Sequence, residues 1–127
     1  MNKNLTITAF LGLLAVVLGA FGAHSLKEIL DSETLKSFET GVKYQIYHVL
    51  VLLFVNSYSL FSDKSKNTIS YLFFAGILCF SGSIYAITIG SIDPKTIWFI
   101  TPLGGLLFII GWFKMALLFL KKDNTIK

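Results

Sequence analysis

His24 and His48 are the two side chains here whose charge can change near neutral pH, and each stands close to other polar groups. Tyr44 and His48 are four residues apart and Gln45 and His48 three apart, so on a helix all three share one side. Ser81, Ser83 and Tyr85 form a second polar group, and Thr101 precedes Pro102. An imidazole beside a phenol can move protons or hold a quinone, and two imidazoles that meet in space can ligate a haem or a metal. No histidine or cysteine pair has metal-ligand spacing, and no carboxylate lies inside an apolar block. The sequence therefore assigns no metal and leaves the cofactor unknown. The alternative use of these groups is structural, in hydrogen bonds between helices that average about 0.6 kcal/mol each. A Gly-x-Ser-x-Gly elbow, a phosphate-binding loop and a His-Glu-x-x-His helix are all missing, so no catalytic residue is assigned.

The elements that must position these groups are apolar. Of 127 residues, 54% are hydrophobic and only 14% charged, too few to cover a core in water. The apolar residues fall in four blocks at about 5–23, 42–60, 69–90 and 96–120, each near the ~20 residues that cross a bilayer as a helix. A signal peptide is the lesser alternative for the first block, which is long for one. None of the blocks alternates as a barrel strand would. The expected fold is an all-α integral membrane four-helix bundle forming one domain, with a short amphipathic surface helix within 25–40. Ser25 and Glu28 have capping-box spacing at its start, and Asp31 or Ser32 can cap the second long helix. Asp93 and Pro94 are read as the cap and first position of the fourth helix.

The net charge of +4 comes from lysine alone, and no basic patch interleaved with aromatics suggests nucleic acid. Lys3, Lys64, Lys66, Lys121, Lys122 and Lys127 lie on one side of the predicted membrane, and Lys27, Lys36, Lys43 and Lys95 on the other. That excess places both termini in the cytoplasm. Small residues mark the packing faces: Gly12, Ala15, Gly19 and Gly22 on the first helix, Ala75, Cys79, Gly82 and Ala86 on the third, Gly104 and Gly111 on the fourth. Pro102 is expected to kink the fourth helix and free the Trp98 carbonyl. With this topology all four helices bring polar groups to the outer half, roughly 10 Å below the surface. The inner half offers only Asn56, Ser57, Tyr58 and Ser59.

The motifs "GAFGAH", "TGVKYQIYHVL", "FSGSIY" and "TPLGG" followed by "GW" come in the order found in the small bacterial membrane proteins grouped as domain of unknown function 423, which the chain resembles over nearly its whole length. The resemblance implies a multi-pass plasma-membrane protein with four helices, and brings no reaction or cofactor. It points to Gly19, Phe21, Gly22, Ala23 and His24, to Thr40, Gly41, Tyr44, Gln45 and His48, to Ser81, Gly82, Ser83 and Tyr85, and to Thr101, Pro102, Gly104, Gly105 and Trp112. Ser25 stands where the family pattern has glycine. The expected role is structural or regulatory, in membrane integrity or as partner of a membrane complex. A haem, quinone or proton-transfer site is the alternative. Membrane lipids, further copies of the chain and other membrane proteins are the partners expected.

Overall fold

The computed structural model describes residues 3–121, so Lys122 and Lys127 of the charge count lie outside the described residues. The chain is all-α: α1 Lys3–His24, α2 Ser32–Ser57, α3 Asp63–Thr88 and α4 Ile100–Leu120. Three of the four, α1, α3 and α4, are long and apolar enough to cross a membrane. Each helix packs on its neighbours in chain order, α1 on α2, α2 on α3 and α3 on α4. The near end of the bundle carries the start of α1 and the α2–α3 turn; the far end carries the end of α1 and the start of α4.

Apolar side chains surround α1 and α4 almost completely, and Phe10, Leu13 and Val16 on α1 and Ile109 and Phe113 on α4 remain largely exposed. A helix apolar all round belongs in a bilayer or a large core, and a chain of this size supplies no such core. Leu52 and Val55 from α2, Phe61 from the turn, Ile69, Phe73 and Ile77 from α3, and Phe108 and Met115 from α4 form the packed centre. α2 is the most polar long helix, and it lies between α1 and α3.

Local chemistry sets the helix ends. Asp31 accepts the Thr34 backbone N–H at 2.8 Å and so caps α2. That bond, with a further one from the Thr34 side chain, holds the Asp31 carboxyl below its ordinary pKa. Ser62 caps α3 through the Ser65 N–H at 3.1 Å. At the far end of α3 the Gly90 N–H reaches the Tyr85 carbonyl, the Ile92 N–H reaches the Ala86 carbonyl, and Ser91 takes a left-handed φ of 59°.

Three expectations are corrected. Ser25 and Glu28 form no capping box: the short helix within 25–40 is a 3-10 helix, Leu26–Glu28, with Leu26 turned inward, and Ser25 makes no side-chain cap because it has helical φ and ψ itself. Asp93 caps a turn, accepting the Lys95 N–H at 3.0 Å, and α4 starts later, at Ile100. Pro102 is then the third residue of α4, within the first turn, whose N–H groups have no intrahelical partner. It breaks no helical bond there and gives no reason for a kink.

Candidate functional site

Gln45 is 1% exposed and joins three helices. Its Nε2 donates to the Leu11 carbonyl of α1 at 2.7 Å, and its Oε1 accepts the Tyr85 hydroxyl of α3 at 2.7 Å. His48, one turn further on, joins α2 to α4. Its Nδ1 lies 2.8 Å from the Tyr44 carbonyl, and the Trp112 indole Nε1 donates to its Nε2 at 3.0 Å. A carbonyl can only accept and an indole N–H can only donate, so these partners select the neutral imidazole with its proton on Nδ1. The ring lies flat on Phe108, centroids 3.7 Å apart and planes 7° apart, with Phe73 edge-on at 5.0 Å.

The remaining far-half groups divide into separate pairs. Ser81 Oγ donates to the Gly41 carbonyl at 2.6 Å, tying α3 to α2. Ser83 bonds Thr101 and so ties α3 to α4; it also donates to the Phe80 carbonyl at 3.0 Å. Tyr44 contributes its backbone carbonyl, while its ring lies 4.9 Å from Phe80 and stays partly exposed. His24 is exposed at the last turn of α1 and makes no side-chain hydrogen bond among the described residues. The expected single cluster is thus a set of helix-to-helix links. Those of His48 lie deeper than expected, since Trp112 is twelve residues into α4, ~18 Å along its axis.

The packing faces have a clear pattern. A Cβ on Gly104 would fall on the Phe80 backbone, and one on Gly111 on the Phe73 ring. Gly76 presses equally close on Phe108 and carries the α3 side of that contact, a role sequence reasoning gave to Gly82. Gly82 has only Leu78 of its own helix nearby, because its position faces away from the α4 seam. On α1, Ala15 is buried, and Gly12, Gly19 and Gly22 face Val49, Val42 and Phe38 of α2.

The near end holds polar groups that the sequence reading passed over. Asn4 is 4% exposed, and its Nδ2 donates to Asn56 Oδ1 at 3.1 Å and Asn67 Oδ1 at 2.8 Å, linking α1 to α2 and α3. Asn56 Nδ2 donates in turn to the Leu52 carbonyl at 2.9 Å and to Ser70 Oγ at 2.8 Å. Thr8 bonds back to the Asn4 carbonyl. A polar cleft of about 330 Å³ opens here, lined by Lys3, Asn4, Asn56, Asp63, Lys66 and Asn67. The missed signal is the spacing Asn4, Thr8, Gly12, Ala15, which carries the α1 packing stripe back to its first turn. Among the described residues no three of His, Cys, Asp and Glu are grouped to hold a metal.

Long apolar helices, exposed apolar faces and buried polar links between helices define a small multi-pass α-helical membrane protein. Residues 18–105 match the family described as Protein of unknown function (DUF423). The chain belongs to that family. It is 41% identical to a UPF0382 membrane protein of Haemophilus influenzae over 115 residues, 91% of each chain. It is 42% identical to the UPF0382 membrane protein YwdK of Bacillus subtilis, covering 88% of this chain and 91% of the relative. A UPF0382 membrane protein of Staphylococcus aureus is 38% identical, with 92% and 94% covered. No solved structure matches the chain.

Proposed function

We propose that the chain crosses the plasma membrane four times with both termini in the cytoplasm, and that its role is structural or regulatory. It would serve membrane integrity or act as partner of a larger membrane complex, alone or as a homo-oligomer. α2 is the fourth span: at 26 residues it is ~39 Å long, enough to cross a ~30 Å hydrocarbon core. Its polar face meets α1, α3 and α4 through Gln45 and His48, which offsets its lower apolarity.

The observation that carries the reading is the bonding of His48. The nitrogen that would ligate a haem iron or accept a proton already accepts the Trp112 N–H, and the other faces a carbonyl. A redox or proton-transfer site at His48 would first have to break one of these bonds. Absorption spectroscopy of the detergent-purified protein, with metal analysis and mass spectrometry of extracted small molecules, tests this. A colourless, metal-free and quinone-free sample is expected. A stoichiometric chromophore lost with His48→Ala would replace this reading with the haem or quinone alternative.

A further inference from the structure

A buried polar atom without a partner borders the near-end cleft. Asn4 lines the cleft, and its Oδ1 is shut off from water and has no hydrogen-bond donor among the described residues. Reversing the amide does not remove the problem. The Leu52 carbonyl can only accept, so Asn56 must turn its Nδ2 toward it and its Oδ1 toward Asn4. Asn4 must therefore present Nδ2 to Asn56, leaving its own oxygen in need of a donor. A buried carbonyl oxygen without one bears the full cost of its lost hydration.

The same walls carry two ammonium groups, Lys3 and Lys66, and one carboxylate, Asp63. Asp63 and Lys66 lie in the first turns of α3, whose N-terminal dipole also favours an anion nearby. Lys3 and Asp63 begin two of the membrane-length helices, so the cleft stands where lipid headgroups lie. A simple anion suits the lysines but sets negative oxygens beside Asp63 and the Asn4 acceptor. A simple cation suits Asp63 and Asn4 but faces both lysines.

We propose that this cleft binds the headgroup of an amine-bearing phospholipid, a phosphate ester with a primary ammonium two carbons away, as in phosphatidylethanolamine. The phosphate lies with Lys3 and Lys66, and the ammonium donates to the Asp63 carboxylate, while the unpaired oxygen of Asn4, closed to direct contact, adds partial negative charge on the ammonium's side. At about 330 Å³ the cleft is at the small end of the ~300–1,000 Å³ typical of small-molecule sites, which suits a headgroup. A quaternary choline has no N–H to donate, and a glycerol headgroup has no positive charge for Asp63. The site requires only that the near end lie at a membrane surface, whichever side that is.

Native mass spectrometry of the full-length protein in detergent, with phosphatidylethanolamine, phosphatidylcholine or phosphatidylglycerol added in turn, tests this. Retention of the ethanolamine lipid should exceed that of the others roughly tenfold, the scale of one charge-assisted hydrogen bond. Asp63→Asn should bring it down to the phosphatidylglycerol level, and Lys66→Gln should weaken both lipids. Neither residue is buried, so both variants should keep the parent's melting temperature. Soluble phosphoethanolamine should displace the lipid where inorganic phosphate at equal concentration does not. Equal retention of the three lipids, unchanged selectivity in Asp63→Asn, unchanged retention in Lys66→Gln, or equal displacement by inorganic phosphate would each overturn the assignment. None of these outcomes bears on the bonding of His48 or on the number of spans.

Discussion

His48 is held by partners that differ in what they can exchange. Trp112 is partly exposed, yet its N–H is turned inward onto the imidazole, so the indole covers a polar group with an apolar surface. Trp112→Phe keeps most of that cover and removes the donor, leaving Nε2 without a partner. It should lower stability by about 1–3 kcal/mol, read as an earlier thermal midpoint in detergent. His48→Leu in the Trp112→Phe background should restore part of that loss, because the unpaired nitrogen is then gone as well. A strictly additive double variant would show that the two side chains are not coupled. Sequence reasoning placed Gln45 and His48 on one side of a helix and grouped Tyr85, the donor to Gln45, with them, but did not reach their other partners. Leu11 and Tyr44 act through particular backbone carbonyls, which side-chain types do not announce, and Trp112 is marked by the family motif but not by any polar neighbour in the sequence. Asn4 and Asn67 were passed over because asparagine near a terminus or a turn looks like solvated polarity.

Helix contacts in a bilayer depend on how closely backbones approach, since lipid is as apolar as the side chains it competes with. Gly104 and Gly105 make a natural comparison on α4. A Cβ at Gly104 would meet the Phe80 backbone, whereas at Gly105 nothing lies within 4 Å. Gly104→Ala should force α3 and α4 apart and destabilise by about 1–3 kcal/mol, while Gly105→Ala should be neutral or slightly stabilising. Thermal unfolding of both variants checks this, and equal midpoints would contradict the seam. The long helices could be read from the apolar blocks, because a bilayer demands length and little else. Their ends were harder, since capping depends on φ and ψ rather than residue type. Ser25 has a capping residue's chemistry without its backbone, and Asp93 serves a turn seven residues before α4. Gly76 also escaped notice, as small residues on α3 mark more than one face and only the Phe108 contact identifies which one meets α4.

Across the whole molecule polarity follows position. α1 and α4, at the two ends of the packing order, are the most uniformly apolar; α2, between α1 and α3, carries Gln45 and His48. A polar helix is tolerated where neighbours rather than lipid meet its polar face. The same order sets the chain's direction at each crossing, and so makes orientation a single choice. Lysine biases that choice: Lys3, Lys64, Lys66 and Lys121 gather at helix ends on the near side, while Lys43 stands in the fourth turn of α2, exposed and well inside the helix. Moving Lys43 out of the far-end loop count strengthens the near-end excess, which favours the near end in the cytoplasm. Ile29 and Ser59 are exposed in the connections at opposite ends and are suitable positions for testing this. In a Cys79→Ser background, Ile29→Cys should react with a membrane-impermeant maleimide in intact cells, and Ser59→Cys only after permeabilisation. The opposite pattern would reverse the topology, and labelling of both from outside would remove α2 as a span.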